Sequence, residues 1–129
     1  ISGMSILRND DLPVHRLPGL IHRTIAGRDQ GVSSMEVWHQ IMAPGAETPV
    51  HRHACEEVIF ILSGSGRLSL AGSTSHFEAN STVIVPSDAV HQLTNTGSED
   101  LVLVAALGAA PVRVRTDRGD PLPVPWQAP

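Results

Sequence analysis

Short apolar runs broken by turn-forming residues constrain the fold of this chain more than any other feature. Runs rich in Val, Ile, Thr and Leu occur at 20–26, 35–43, 56–62, 67–71, 82–85, 89–94, 101–107 and 111–115. Gly, Pro, Ser or Asn separates them, and no run shows a convincing 3.6-residue apolar period. Short strands at this spacing are typical of antiparallel sandwiches and barrels. The pattern therefore predicts an all-β chain with little helix.

Length and composition are those of one folded domain. The 129 residues suffice for a buried core, and 41% hydrophobic with 17% charged content argues against disorder. The net charge is −4, and the nine basic residues are all Arg without a basic cluster, so neither nucleic acid nor a membrane is an expected partner. The absence of Lys suggests a GC-rich coding bias and hence a bacterial source.

The single cysteine and the N-terminus bear on the compartment. Cys55 cannot form an internal disulfide. No apolar run has the length of a membrane span, and the N-terminus lacks the charged start and apolar core of a signal peptide. Residues 1–3, before Met4, read as a scar left by cloning. These observations predict a cytoplasmic protein.

Histidine and carboxylate residues at fixed steps indicate a metal site. His51 and His53 lie two apart, so they leave the same face of an extended strand, and Glu57 joins them if that strand continues. His91 is the fourth candidate ligand, and Glu56 is a weaker alternative to Glu57. Three nitrogens and one oxygen suit a first-row divalent ion and leave coordination positions open. The other histidines are expected at the surface or in hydrogen bonds: His15, His22, His39 and His76.

Alternation along two strands assigns their faces. In 35–43, Trp38, Gln40 and Met42 share one face. From Val58 the next strand is apolar at every position. Ile59 and Ile61 share the strand face of Glu57, so they are expected to point inward, toward the metal. The opposite face is expected to meet a second sheet layer or a dimer partner; it carries Val58, Phe60 and Leu62.

Both ends of the chain predict extended arms. Residues 4–18 carry turn formers and charges without a clear period, which indicates an arm or an edge strand. The tail, residues 116–129, contains the sequence PLPVPWQAP. Proline is excluded from central strands and helix interiors, so an extended arm that includes Trp126 is expected there.

Two sets of residues resemble the two sequence motifs of the cupin superfamily. The first set matches without a gap and consists of Gly45, His51, His53, Glu57 and Gly64. In the second motif Asn80 and Asp88 stand where the pattern has glycine, and the matching residues are Pro86, His91 and Asn95.

Longer blocks resemble the auxin-binding proteins of plants, a family within that superfamily. The blocks span 17–27, 35–45, 48–58 and 79–104. The resemblance implies a single-domain cupin over residues 4–129. Its fold is a double-stranded β-helix, or jelly-roll barrel, with a core at about 20–115 and extended N- and C-terminal arms.

The same resemblance implies a ligand, a cofactor and a partner. In the plant family an aromatic carboxylate such as indole acetic acid binds zinc within an apolar pocket, and cupins of this kind commonly form homodimers. The implied metal ligands are His51, His53, Glu57 and His91. The residues that match the plant pocket are Leu17, Leu20, Trp38, Gln40, Thr48, Pro49 and, less closely, Trp126.

The resemblance leaves enzymatic activity open. Zinc is the expected ion, but related cupins also hold iron, manganese or nickel, and some are dioxygenases, isomerases or decarboxylases in which the metal supplies the Lewis acidity. Against an enzyme, the chain has no Tyr, and no second acid or base is strongly placed near the pocket. A binder of a small carboxylic acid is the leading hypothesis, and an enzyme acting on a small carboxylate or carbonyl compound is the alternative.

Overall fold

The computed structural model describes residues 5–127, which are almost entirely β-structure. The helical elements there are two 3-10 turns, Asn9–Asp11 and Arg28–Gln30, and no helix in this range is long and apolar enough to cross a bilayer. The predicted cloning scar lies outside the described residues. The strands are β1 (His15–Leu17), β2 (Leu20–Ala26), β3 (Glu36–Met42), β4 (His51–Arg52), β5 (Glu57–Ser63), β6 (Ser65–Leu70), β7 (Ser73–Glu78), β8 (Ser81–Val85), β9 (His91–Asn95), β10 (Leu101–Leu107) and β11 (Arg115–Thr116).

These strands form two antiparallel sheets that enclose one core. The six-stranded sheet has the order β1-β2-β3-β10-β5-β8, and the five-stranded sheet has the order β11-β4-β9-β6-β7. Side chains from both sheets meet in a single buried cluster. The predicted all-β jelly-roll class is confirmed.

The central strands alternate as their sequences predict. In β3 the side chains of Trp38, Gln40 and Met42 are buried. In β10 every second residue from Leu101 to Leu107 is buried, which places Leu103 against the same interior. This inner face positions the site because it forms one wall of the barrel.

The outer face of β5 is uncovered. Ile59 and Ile61 point inward, but Phe60 is 46% exposed and Leu62 55% exposed. Ile84, on the neighbouring strand β8, is 56% exposed. Within residues 5–127 no second layer covers this surface, so the expectation of a covering sheet layer is wrong for the described part of the chain.

Some strand assignments differ from the sequence prediction. β7 was not expected, because all of its residues except Phe77 are polar and exposed, so they show no apolar alternation. The run 111–115 was expected to be a strand, but pairing begins only at Arg115. Upstream, the Val112 N–H donates to a side-chain oxygen of Glu36 instead of to a strand. The N-terminal segment supplies the edge strand β1.

Asn80 and Asp88 keep the turns of the second motif although neither is glycine. Both adopt the left-handed conformation, with φ of +64° and +63°. Asn and Asp are the residues other than glycine that visit this region most readily. The sequence departures therefore preserve the backbone path that leads to His91.

Gly64 and Gly72 provide a matched test of how tightly the barrel is closed. Both have a positive φ, +88° and +86°, but only at Gly64 would a Cβ meet backbone, at 2.6 Å from the Asp100 oxygen. We expect Gly72→Ala to lower the free energy of unfolding by about 1 kcal/mol, from the left-handed strain alone. Gly64→Ala should lower it by about 2 kcal/mol more, from the added clash. Urea unfolding measures both, and equal losses would contradict the close approach.

Candidate metal centre and the cavity above it

The four predicted metal ligands converge from both sheets. His51 lies on β4 directly opposite His91 on β9, in the five-stranded sheet. Glu57 is the first residue of β5 in the six-stranded sheet, and His53 lies between β4 and β5. The candidate ligand atoms of the three histidines all lie within 4.8 Å of one another.

The route by which they converge differs from the sequence expectation. A single strand carrying His51, His53 and Glu57 is wrong, because β4 ends at Arg52 and Glu57 begins a strand of the other sheet. The chain crosses between the sheets in this interval, and the crossing brings Glu57 back to the histidines. Glu57 is buried and Glu56 is exposed, so the geometry favours Glu57 as the acid.

Each of the three imidazoles is oriented by a main-chain carbonyl. The Nδ1 of His51 lies 2.6 Å from the Pro49 oxygen, that of His53 3.0 Å from the Cys55 oxygen, and that of His91 2.8 Å from the Ala89 oxygen. A carbonyl oxygen only accepts, so each Nδ1 carries the hydrogen and donates it. In the neutral ring, Nε2 then keeps the lone pair that binds a metal. Without a metal, burial lowers the pKa of His53, but hydrogen bonds to Cys55 and Glu57 outweigh burial and raise it to about 10, so a metal would displace a proton from this ring.

Glu57 places a negative charge among these nitrogens. Its Oε1 lies 3.0 Å from His53 Nε2 and 3.4 Å from His91 Nε2. Burial alone would raise the pKa of Glu57, but the hydrogen bond from His53 and the close approach of the His53 and His91 rings outweigh burial and hold its pKa well below the ordinary 4.5. The carboxylate is therefore ionised and can act as the oxygen ligand.

Two features of the histidines fit a bound cation. Burial, together with the charge of His91, lowers the pKa of His51 to about 4, so this ring is neutral at pH 7. His91 Nε2 is buried and makes no hydrogen bond, because its 3.4 Å approach to Glu57 lacks hydrogen-bond geometry. A buried nitrogen without a partner is costly unless something binds it. Three imidazole nitrogens and one carboxylate match the donor set of a first-row divalent ion.

A cavity opens directly over this cluster. Its wall includes Glu57 and two of the histidines, His51 and His91, whereas His53 lies deeper. All seven residues predicted to bind the ligand line the same cavity, namely Leu17, Leu20, Trp38, Gln40, Thr48, Pro49 and Trp126. The remaining lining residues are apolar: Ile59, Leu93, Val114, Leu122 and Val124.

The tail supplies the roof of this cavity. Leu122, Val124 and Trp126 lie at alternate positions, and all three line the cavity. Between them stand Pro123 and Pro125, which are exposed. The tail is therefore an extended arm, as its prolines predict, and it packs over the barrel.

Sequence reasoning missed two buried polar residues beside the cavity. Glu36 accepts hydrogen bonds from Trp38 Nε1 at 2.7 Å, Gln127 Nε2 at 2.9 Å and the Val112 N–H at 3.1 Å. Its carboxylate thus ties the tail to β3. The alternation that assigned Trp38 to the inner face also assigns Glu36 to it, so the signal was present.

His22 is the second: it is hydrogen-bonded, one of the two forms predicted for it, but its place beside the cavity was not predicted. It is fully buried, its Nδ1 accepts from Gln40 Nε2 at 3.0 Å, and its Nε2 donates to Thr24 Oγ1 at 2.8 Å. Its ring stacks on Trp126, with centroids 3.7 Å apart and planes 9° apart. The ring of His22 therefore orients Gln40 through its hydrogen bond and supports Trp126, which forms part of the roof of the cavity.

Stability should depend on pH through His22. Burial, with smaller effects from His15 and His39, lowers the pKa of His22 to about 3 from 6.5. Between these values the unfolded chain binds a proton that the folded chain does not, so stability falls as the pH falls. From pH 6.5 to 5 the metal-free protein should lose about 2 kcal/mol through this residue. Urea unfolding of the native chain and His22→Gln at both pH values isolates the effect, and parallel losses would contradict it.

The fold and the site together define a cupin. The structure resembles the polyketide cyclase RemF of Streptomyces resistomycificus, with a TM-score of 0.70 and 23% identity, over 85% of this chain and 84% of that one. It also resembles the oxalate decarboxylase of Lactobacillus farciminis, with a TM-score of 0.76 and 20% identity, over 83% of this chain and 34% of that one. At these identities the likeness establishes the fold alone.

Sequence comparison identifies the family. The profile of the auxin binding protein family matches residues 1–123. Auxin-binding protein 1 of Arabidopsis thaliana is 42% identical over 127 residues, which cover 88% of this chain and 64% of that protein. Auxin-binding protein T85 of Nicotiana tabacum is 40% identical over 129 residues, covering 88% and 69%. The chain belongs to the auxin-binding protein family, and it spans about two thirds of the length of these curated relatives.

Proposed function

We propose that this chain binds a small carboxylic acid with an aromatic body, through a divalent metal held by His51, His53, Glu57 and His91. The observation that carries the proposal is the convergence of three oriented imidazoles at the base of an apolar-walled cavity. The metal, most simply zinc, would attract the carboxylate as a Lewis acid. The names of the relatives add auxin as the chemical class of the acid.

The polar groups of the cavity favour binding over the enzymatic alternative. Apart from the proposed metal ligands, no lining residue within residues 5–127 is titratable, and the polar side chains are Gln40 and Thr48. Thr48 Oγ1 already accepts from the Leu93 N–H at 3.0 Å. A dioxygenase, isomerase or decarboxylase would therefore have to use the metal without a further acid or base from the wall.

Metal analysis followed by calorimetry tests the proposal. The metal content of protein purified without added metal identifies the ion. Indole-3-acetate should then bind saturably to the loaded protein and not after treatment with a chelator. Indole-3-ethanol, which lacks the carboxylate, is the matched control and should bind much more weakly. Equal binding of the two compounds would contradict the proposal, and oxygen uptake with an iron-loaded protein would favour the enzyme.

We also propose that the exposed face of the six-stranded sheet pairs two copies of the chain. Phe60 and Ile84 are large apolar residues on adjacent strands of this face, and Val104 lies opposite Phe60. Light scattering should give twice the chain mass of 13.7 kDa. Phe60→Asp should give a monomer, because a charge there opposes burial, whereas His76→Asp on the other sheet should not. A monomeric native protein would contradict the pairing.

A further inference from the structure

A second, outer cavity lies apart from the metal cluster. Its volume is about 310 Å³, which is within the range of pockets that hold small organic molecules. None of the four candidate metal ligands lines it, and within residues 5–127 its wall shares only Trp126 with the cavity over the metal cluster. The wall of the outer cavity contains five ionisable residues, namely His15, Arg28, Asp29, Glu36 and Arg113. The outer cavity therefore suits a charged ligand that needs no metal.

Glu36 brings a buried negative charge to this wall. It is only 4% exposed, and its three hydrogen-bond donors are the neutral N–H groups of Trp38, Gln127 and Val112. The carboxylate forms no ion pair within residues 5–127. Buried charges in proteins are usually paired with an opposite charge. A cationic group of a ligand can supply that charge from the cavity.

Gln30 adds an acceptor beside Glu36. Its Oε1 is buried and has no hydrogen-bond partner within the described chain. A Cβ at residue 27 would lie 3.4 Å from Glu36 Cγ and 3.6 Å from Gln30 Oε1, so both side chains border the same space next to Gly27. These three residues form an acceptor corner. A primary ammonium group carries a positive charge and three donors, so it matches an unpaired acceptor next to a buried carboxylate.

Arg28 brings the opposite charge to the same wall. Its Nε donates to the Ala110 carbonyl oxygen at 2.8 Å, and this bond holds the guanidinium group in place. The guanidinium fork fits a carboxylate. Trp126 Nε1, which is buried and has no partner within the described chain, is a further donor on this wall. The wall thus offers donors for an anion as well as acceptors for a cation.

We propose that the outer cavity is a second ligand site, which binds a free α-amino acid without a metal. The α-ammonium group lies in the acceptor corner, the carboxylate pairs with Arg28, and an apolar side chain packs on Pro13 and Pro111. An α-amino acid carries both charged groups on one carbon atom, which matches a wall with both kinds of partner. The site does not depend on the proposed function, because no metal ligand is part of it.

Calorimetry with chelator-treated, metal-free protein tests the proposal. L-Leucine is the probe, 3-methylbutylamine is leucine without its carboxylate, and 4-methylpentanoate is leucine without its ammonium group. Leucine should bind saturably, and each truncated compound should bind about ten-fold more weakly, because each loses one charge-assisted contact. In proton–nitrogen correlation spectra, the signals of the Gly27 amide and the Trp126 indole should shift as leucine is added.

Two substitutions address the two ends of the ligand. Gly27→Ala places a methyl group in the acceptor corner, and it should fold because residue 27 has an extended backbone, with φ of 172°, and the methyl meets its neighbours at ordinary contact distances. It should weaken binding of leucine and of 3-methylbutylamine about ten-fold. Arg28→Gln should weaken leucine about ten-fold and leave 3-methylbutylamine unchanged, because the amine has no carboxylate. Arg118→Gln, a change of an exposed arginine outside this wall, is the control.

The outcomes separate this site from the metal site. Leucine binding that persists in metal-free protein and in His91→Ala protein supports the outer cavity, even if indole-3-acetate does not bind and the proposed function fails. No saturation at millimolar leucine, or binding that appears only with metal, would overturn the proposal. Equal binding of leucine and 4-methylpentanoate, or native leucine affinity in Gly27→Ala protein, would overturn it as well.

Discussion

Replacing His91 with alanine is expected to abolish metal binding and, with it, binding of the carboxylate. His91 is buried, its Nδ1 is held by the Ala89 carbonyl, and its Nε2 has no hydrogen-bond partner within the described chain. Removing a residue that merely orients a ligand costs 10- to 100-fold in metal affinity, so losing a ligand itself should cost at least about 100-fold. Metal content per chain and calorimetry with indole-3-acetate measure the two losses.

A matched substitution separates this effect from general damage. His76→Ala removes a histidine from the exposed strand β7 and should leave metal content unchanged. Circular dichroism should show that the His91→Ala protein keeps its β-structure, because the substitution removes a side-chain ring and leaves the main-chain pairing of β9 in place. Retention of a full complement of metal and of ligand affinity in folded His91→Ala protein would remove the basis of the site.

Glu36→Ala should cause the largest loss of stability of any single polar substitution proposed here. The change leaves Trp38 Nε1, Gln127 Nε2 and the Val112 N–H without their acceptor. Unsatisfied buried donors cost about 1–3 kcal/mol each, so we expect a loss of about 4 kcal/mol in the free energy of unfolding. That is a large part of the stability of a typical domain. Urea unfolding measures it.

The same substitution should release the tail. Two of the three donors belong to the segment after β10, so trypsin should cut at Arg115 and Arg118 faster in Glu36→Ala than in the native chain. Glu78→Ala, which removes an exposed acid from β7, is the control and should change neither measurement. A Glu36→Ala protein with native stability and native resistance to trypsin would show that the carboxylate does not hold the tail.

Much of the fold follows from local pattern, and the site follows only partly. Strands β2 and β10 have the predicted bounds, because each is a short run rich in Leu, Val, Ile, Ala or Thr that a glycine follows. β7 could not be found in this way, because nearly all of its side chains face solvent. Its position depends on pairing with β6, which apolar periodicity does not encode.

The candidate metal ligands were identifiable by residue type and spacing, but their geometry was not. The crossing between sheets before Glu57 depends on the partners of each strand, which are distant in sequence. The contacts of Glu36 also depend on partners distant in sequence, since Val112 and Gln127 lie 76 and 91 residues away. Face alternation placed Glu36 inside the barrel, but only the folded tail shows what it binds.

The short strand β11 lies at the edge of its sheet, where Thr116 pairs with His51 on β4. A chain shortened to end before Arg115 would leave the backbone N–H and C=O groups on this side of β4 unpaired. Unpaired edge strands tend to pair with other chains. Truncation should therefore produce particles that scatter light, and His51, a candidate metal ligand, would lie on the newly exposed edge strand. The edge strand β11 therefore protects β4, the strand that carries His51, from pairing with other chains.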